Sequence, residues 1–342
     1  MDVIGMKVLV NRGLSENEAA SQTDERRKEV GQRLRQMILD KAKELKVDVE
    51  FAANREDSLK KVTDVDIVFG YVTPDMLKAA KKLKWVQSGG AGMEGFIFPE
   101  LAESEIVVTN VAGIYSEAIA EHVFALITCW ARDLPMLIRS QDQEVWADST
   151  EEINLFGKTL GVVGLGGIGL EVGRRAHAFG MNVVATRAHP ERAAPPFIKK
   201  VWGPDGLEFL LKESDVVVVC TPYTPRTMHL ISAKELKEMK RTAFLVNIGR
   251  GINVDLKALT EALSRKEIAG AGLDVFEQEP LPKGHPLWKM KNVIITPHCA
   301  AGTGGDYWPI YDERRVEIFL KNLDNFVHGK ELINVVDKKD WH

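Results

Sequence analysis

The sequence predicts an α/β protein with two domains, each built on a parallel sheet. Short apolar segments alternate with helical patterns along its 342 residues, and such alternation is typical of parallel strands covered by helices. A chain of this length is expected to form about two domains, each with its own core. A glycine-rich turn then marks the start of the second set of elements.

The first set of elements predicts a flavodoxin-like βα-domain. Its strands are expected at Lys7–Val10, Val47–Ala52, Asp66–Tyr71, Lys84–Ser88 and Ile106–Asn110. A charged helix from about Asp24 to Leu45 separates the first two strands.

The second set predicts a Rossmann-type, doubly wound parallel sheet. Its strands are expected at Leu160–Val163, Met181–Thr186, Asp215–Cys220, Ala243–Ile248, Ala269–Asp274 and Val293–Thr296. Ser232 and Glu235 form a capping box that begins one helix, and Asp255 is a suitable N-cap for another.

The turn after the first of these strands has the G-x-G-x-x-G pattern of a dinucleotide site. Gly164 allows a tight turn, Gly166 lets a pyrophosphate approach the backbone, and Gly169 lets the helix pack close to the sheet. The unpaired N–H groups at the helix start favour an anion there. We therefore expect cofactor contacts from Gly164, Leu165, Gly166, Gly167, Ile168 and Gly169.

The end of the next strand indicates which dinucleotide is bound. NAD sites usually carry an acidic residue about 20 residues past the turn, but Arg187 stands at this strand end. Arginine forms a charge-assisted pair with a 2′-phosphate, which an acid would repel. Thr186 adds a hydroxyl donor, so NADP(H) is favoured over NAD(H); a solvent-facing arginine beside a tolerant NAD site is the alternative.

The connections predict how the two domains share the chain. One long apolar helix is expected from Ser116 to about Leu137, just after a hinge at Gly113. A second glycine hinge, at residues 302–305, precedes a helix from about Trp308 to Val327, which should return to the first domain. We expect a substrate domain at residues 1–111 and 302–342, a dinucleotide domain at residues 112–301, and a substrate cleft between them.

Composition excludes several other classes of protein. The net charge of −4 gives no reason to expect nucleic acid or an anionic membrane surface as a partner. No apolar run approaches the ~20 residues of a membrane span, and the N-terminus lacks the pattern of a signal peptide. The cysteines, Cys129, Cys220 and Cys299, have no paired spacing. We expect a cytoplasmic protein without a metal site.

Three side chains near strand ends of the second domain suit the reduction of a 2-keto acid. Arg250 is a cation that can hold a carboxylate bidentately and polarise the ketone. His298 suits proton donation near neutral pH, and Glu279 can orient that imidazole.

The motifs around these residues resemble those of the D-2-hydroxyacid dehydrogenases. The stretches are Gly161–Gly169, Phe244–Gly251 and Gly272–Ala301. This family includes D-lactate, glycerate and 3-phosphoglycerate dehydrogenases and the glyoxylate/hydroxypyruvate reductases. The resemblance covers roughly Lys7 to Val336 and is weakest in the first 60 residues.

The resemblance implies roles for individual residues. Arg250 would bind and polarise the substrate, Glu279 would be the carboxylate of the dyad, and His298 the acid/base. Asp274 would meet the nicotinamide carboxamide. The further cofactor contacts that it implies are Cys220, Thr221, Pro222, Thr227, Asn247, Ile248, Gly249 and Ala300. Arg250 and His298 would share substrate binding with the loop Ser88, Gly89, Gly90, Ala91 and Gly92, whose amides would hold a carboxylate.

Two more features follow from the resemblance. Glu121 and His122 are adjacent in a helix, so their side chains do not face each other, and we interpret them as interdomain or dimer contacts. Trp146 would lie on an arm that wraps a second subunit, which predicts a homodimer.

We therefore expect an NADPH-dependent D-2-hydroxyacid dehydrogenase that acts mainly as a 2-keto acid reductase, with glyoxylate or hydroxypyruvate as favoured substrates. An NAD-dependent formate dehydrogenase is one alternative, although that family has Gln where Glu279 stands. A dinucleotide-sensing, corepressor-like binding protein is the other.

Overall fold

The structure is a computed structural model, and it describes residues 5–11, 25–149, 151–302 and 307–339. The chain divides into two compact units. The first unit is Met1–Ile114 with Thr303–His342, and the second is Tyr115–Gly302. Of the predicted second hinge, residues 303–305 lie outside the described part.

The first unit contains a parallel sheet of five strands. They are β1 Lys7–Val10, β2 Asp48–Phe51, β3 Ile67–Gly70, β4 Trp85–Ser88 and β5 Val107–Thr109. The strand order β2-β1-β3-β4-β5 is the flavodoxin-like order, as predicted. The α-helices of this unit are Glu25–Leu45, Arg55–Lys61, Pro74–Ala79, Pro99–Glu103 and Tyr307–Val327.

The C-terminal helix belongs to the core of the first unit. The Phe319 ring on this helix is fully buried and stacks on Phe69 of β3 with centroids 4.3 Å apart. Asn322, also fully buried, donates a hydrogen bond to Gln87 Oε1 at 3.0 Å. Burial of these aromatic and amide groups explains why the chain returns to this unit, which confirms the predicted docking of the helix.

The second unit contains a parallel sheet of seven strands. They are β6 Thr159–Val163, β7 Asn182–Thr186, β8 Ile198–Trp202, β9 Val216–Val219, β10 Phe244–Asn247, β11 Gly270–Leu273 and β12 Val293–Ile295. The order β12-β11-β10-β9-β6-β7-β8 reverses direction between β6 and β9, which is the switch point of a Rossmann sheet. The α-helices of this unit are Ser116–Ala131, Leu134–Gln141, Gly167–Ala178, Leu207–Glu213, Ala233–Glu238 and Leu256–Ser264.

Two elements differ from the sequence prediction. The predicted single helix from Ser116 to Leu137 ends at Ala131, and a second helix begins at Leu134. Pro135 explains the break, because proline has no N–H and its ring clashes with the carbonyl four residues earlier. The edge strand β8 was not predicted at all, since its exposed lysines mask the apolar pattern. None of the described helices is long and apolar enough to cross a membrane.

Candidate active site

The glycine turn lies directly after β6, and its glycines serve two different purposes. A Cβ added to Gly169 would lie 2.5 Å from Gly164 O, so the close packing of helix and strand requires glycine there. Gly164 itself has a φ of +100°, which glycine tolerates best. A Cβ on Gly166, at the N-cap of the helix, would meet no atom within 4 Å. The open backbone at Gly166 therefore fits a pyrophosphate rather than a packing need of the protein.

The end of β7 is tied to this turn. The carbonyl of Thr186 accepts hydrogen bonds from Gly164 N at 3.0 Å and Leu165 N at 2.9 Å. The Arg187 guanidinium follows immediately and approaches two backbone carbonyls at 3.5 Å each, while its Nε is buried without a hydrogen-bond partner. Within the part of the chain that the structure describes, no carboxylate pairs with Arg187. Its cationic group is thus held beside the turn with capacity for an anion.

The segment after β9 borders the same turn. A Cβ on Gly164 would lie 2.9 Å from Thr221 Cγ2, and the Thr221 hydroxyl is buried without a partner. Thr227 Oγ1 donates to the carbonyl of Pro222 at 2.7 Å, which closes the loop. Burial raises the pKa of the Cys220 thiol to about 12, so this cysteine stays a neutral thiol near pH 7.

The segment after β10 presents Arg250. Asn247 fixes it by accepting from Gly249 N at 3.2 Å and donating to the Arg250 carbonyl at 3.1 Å. Ile248 is buried, whereas Arg250 is half-buried. A Cβ on Gly249 would lie 2.5 Å from Thr221 O. The segments that follow β9 and β10 are therefore in contact at the carboxyl ends of these strands.

Glu279 and His298 form a hydrogen-bonded dyad. His298 Nδ1 lies 2.6 Å from Glu279 Oε2, and Glu279 Oε1 accepts from Phe276 N at 2.9 Å. An ionised carboxylate only accepts hydrogen bonds, so the ring hydrogen lies on Nδ1 and Nε2 is left to exchange a proton with a substrate. The two side chains are 53% and 36% exposed, as a dyad that meets substrate requires.

The backbone of His298 is held in an unusual conformation. Its φ is +52°, in the left-handed region that few non-glycine residues adopt. His298 N donates to the carbonyl of Asp274 at 2.8 Å. The Asp274 carboxylate accepts from Cys299 N and Ala300 N, each at 2.9 Å, so His298 and the two residues that follow it are all anchored to Asp274.

His122 is a member of this network that sequence reasoning missed. Its Nε2 lies 3.0 Å from Thr296 Oγ1 and 3.6 Å from Asp274 Oδ1. The interpretation of His122 as an interdomain or dimer contact overlooked these partners, all of which lie in the second unit. Glu121 points elsewhere and pairs with Arg175 at 3.6 Å, so the two adjacent side chains do not face each other, as expected.

His122, Asp274 and Cys299 lie close together in this network. Their possible ligand atoms lie within 4.8 Å of one another. Desolvation, followed by the charge of Asp274, raises the pKa of the Cys299 thiol, which disfavours the thiolate that a metal ion needs. Because the Asp274 oxygens already accept three hydrogen bonds, we describe the cluster as a hydrogen-bond network.

The predicted substrate loop, residues 88–92, lies in the first unit after β4. Its carbonyls are engaged by neighbours: Gly90 O accepts from Val111 N at 3.2 Å, and Ala91 O accepts from Asn110 Nδ2 at 2.9 Å. In a trans peptide the N–H points opposite to the C=O. The N–H groups that follow these carbonyls, on Ala91 and Gly92, therefore point away from Val111 and Asn110.

The structure thus groups the predicted residues by unit. The dyad, Arg250, Asp274 and the cofactor segments all belong to the second unit, and the loop of residues 88–92 belongs to the first.

Comparisons with known proteins agree with this geometry. A family model described as the NAD binding domain of D-isomer specific 2-hydroxyacid dehydrogenase matches residues 124–300, and one for the catalytic domain of the same family matches residues 23–202. A glyoxylate reductase of Korarchaeum cryptofilum is 36% identical over 290 residues, which cover 82% of this chain and 85% of that protein.

Solved structures give a consistent result. A D-isomer specific 2-hydroxyacid dehydrogenase from Xanthobacter autotrophicus, in complex with NADPH and MES, is 27% identical with a TM-score of 0.77, covering 97% of this chain and 98% of that one. An NADPH-dependent glyoxylate/hydroxypyruvate reductase from Sinorhizobium meliloti, in complex with citrate, is 27% identical with a TM-score of 0.71, and 98% of each chain is covered.

Proposed function

The chain belongs to the D-isomer specific 2-hydroxyacid dehydrogenase family, and within that family of NAD(P)-dependent oxidoreductases we propose that it acts as an NADPH-dependent reductase of small 2-keto acids. Glyoxylate and hydroxypyruvate are the favoured substrates. The Glu279–His298 hydrogen bond of 2.6 Å is the observation that carries the proposed chemistry, because reduction of a ketone to an alcohol needs a proton donor. Both relatives named above as glyoxylate reductases support the choice of substrate.

Each residue of the site has a defined task in this proposal. The nicotinamide cofactor supplies the hydride when it is bound. His298 holds a proton on Nε2 and gives it to the carbonyl oxygen of the substrate, which becomes the hydroxyl of a 2-hydroxy acid. Glu279 accepts the Nδ1 hydrogen throughout and stabilises the charged imidazole. Arg250 binds the substrate carboxylate and polarises the ketone.

In this proposal one unit binds the substrate and the other binds the cofactor. Residues 1–111 and 302–342 bind the substrate, with the amides of Ala91 and Gly92, in the loop of residues 88–92, as a second contact for the carboxylate. Residues 112–301 bind the cofactor along the glycine turn, at the end of β7 and beside Asp274.

The preference for NADPH rests on Arg187. This side chain follows β7 with an unsatisfied, buried Nε, and the cofactor's 2′-phosphate supplies a matching charge. A charge-assisted hydrogen bond contributes about 1.5–3 kcal/mol, so Arg187→Asp should lower kcat/KM for NADPH by about 10- to 100-fold. The same change should leave kcat/KM for NADH equal or higher, because the acid accepts from a ribose hydroxyl.

A matched control is available in the same unit. Arg241 is exposed and precedes β10 at the amino end of its strand, opposite to the carboxyl ends that carry the site. Arg241→Asp should leave the ratio of the two cofactors unchanged. An Arg187→Asp variant that keeps the wild-type preference contradicts the NADPH assignment.

We also propose that the chain forms a homodimer. Its proposed location is the cytoplasm. The observation in favour is the segment after the helix Leu134–Gln141, where Trp146 is 99% exposed and Val145 is 52% exposed. Such apolar exposure is costly in water and is typical of an interface. Light scattering should give twice the chain mass for the wild type, whereas a monomer contradicts the proposal.

A further inference from the structure

A relay of three side chains joins a helix of the second unit to the loop that carries His298. His122 lies on the helix Ser116–Ala131, and its Nε2 is 3.0 Å from Thr296 Oγ1. Thr296 Oγ1 in turn donates to Asp274 Oδ1 at 2.6 Å. The side chains of His122 and Asp274 are only 19% and 2% exposed, so water is largely excluded from the relay.

Hydrogen-bond counting fixes the direction of the relay. A threonine hydroxyl has one hydrogen, and a carboxylate can only accept. The hydrogen of Thr296 is therefore committed to Asp274, and the oxygen of Thr296 can only accept from His122. It follows that Nε2 of His122 carries a hydrogen whether the ring is neutral or charged.

The far end of the relay holds the backbone beside His298. Asp274 Oδ1 accepts from Cys299 N and Asp274 Oδ2 from Ala300 N, each at 2.9 Å. These are the two amides that follow His298, whose own N–H donates to the Asp274 carbonyl at 2.8 Å. A left-handed φ of +52° at His298 persists only where the surroundings determine it strongly, and Asp274 supplies that restraint.

We propose that His122 is a positioning residue for the acid/base His298. Its Nε2–H orients Thr296, the Thr296 hydroxyl orients the Asp274 carboxylate, and the carboxylate keeps residues 298–300 in the conformation that presents the imidazole. The inference rests on the proposed function for the role of His298, but the relay itself is a feature of this unit alone. His122 does not touch the reacting atoms in this account.

The kinetic test removes the donor and then restores it. His122→Leu should lower kcat by about tenfold, since small displacements of a catalytic group reduce the rate steeply, with KM for the keto acid within about twofold. His122→Gln offers an amide N–H of similar reach and should recover most of that kcat. Loss of kcat in the Gln variant equal to that in the Leu variant would contradict a role as hydrogen-bond donor.

A double-mutant cycle tests whether the residues act as one relay. Thr296→Val should match His122→Leu, and the double variant should lose no more kcat than the worse single variant, because both changes break one chain of contacts. An additive loss of about 100-fold in the double variant would refute the relay.

Hydrogen exchange provides a readout that does not depend on turnover. The amides of Cys299 and Ala300 should exchange faster in His122→Leu than in the wild type and return toward the wild-type rate in His122→Gln. His177→Leu is the matched control, since His177 is an exposed histidine of the same unit, and it should change neither exchange nor kcat. If the wild type reduces no 2-keto acid, the proposed function fails. If exchange at these amides is the same in His122→Leu and the wild type, the positioning role fails.

Discussion

Glu279→Gln tests the dyad with a change that keeps the shape of the side chain. The hydrogen bond from His298 Nδ1 is 2.6 Å long, which places the centres of charge of an imidazolium and a carboxylate about 4 Å apart. Their attraction is about 1 kcal/mol in bulk water and about 4 kcal/mol near a protein surface. Because the side chains are 53% and 36% exposed, we take an intermediate attraction of about 2.7 kcal/mol. Loss of this attraction in Glu279→Gln corresponds to a fall of about 100-fold in kcat.

The assay is the steady-state oxidation of NADPH with a saturating keto acid. KM should change much less than kcat, because Glu279 acts on the proton donor rather than on the substrate. Glu277→Gln is the matched control, since this neighbouring carboxylate caps Leu256 N at 2.8 Å and pairs with His229, and it should keep kcat within about twofold. A Glu279→Gln variant that folds normally and retains more than half of the wild-type kcat would refute the dyad.

Two further predictions concern the glycine turn and acid stability. Gly166→Ala should leave the unfolding temperature unchanged and weaken NADPH binding measured by fluorescence titration, because its Cβ meets open space; Gly169→Ala should instead lower the unfolding temperature, because its Cβ collides with backbone. The pKa of Asp215 is lowered although desolvation opposes this, because Thr159 N and Lys240 stabilise its charged form. A carboxylate whose pKa is lowered on folding stabilises the folded state at pH values above its unfolded-state pKa of about 3.9. This stabilisation is lost as the pH falls toward the folded-state pKa. Chemical denaturation should therefore show Asp215→Asn to be less stable by about 1.5 kcal/mol at pH 7, with the difference shrinking below about pH 4; an equal difference at both pH values contradicts the assignment.

The parts of the fold that were predicted correctly have local causes. The glycine turn and the two sets of strands are visible in short stretches of sequence, and the right-handedness of βαβ connections reduces the number of topologies that such sets can form. The break before Leu134 was missed although its cause, Pro135, is visible in the sequence. Strand β8 was missed because an edge strand tolerates exposed lysines, and Lys199 and Lys200 hide its period.

The candidate site shows the limit of sequence reasoning more clearly. Glu279 and His298 are 19 positions apart and lie in motifs that resemble a family. His122 and Thr296 are 174 positions apart, and nothing local to either residue indicates the other. Only the register of β11 and β12 beside the helix Ser116–Ala131 brings them together, and that register is a property of the folded sheet.

A panel assay tests most directly whether this chain reduces small 2-keto acids with NADPH. Glyoxylate, hydroxypyruvate, pyruvate and formate are each assayed with the phosphorylated and unphosphorylated cofactors at equal concentration. We predict turnover of glyoxylate or hydroxypyruvate with a higher kcat/KM for NADPH than for NADH, and no turnover of formate. Tight NADPH binding with negligible turnover of every keto acid would contradict it and favour a dinucleotide-sensing protein instead.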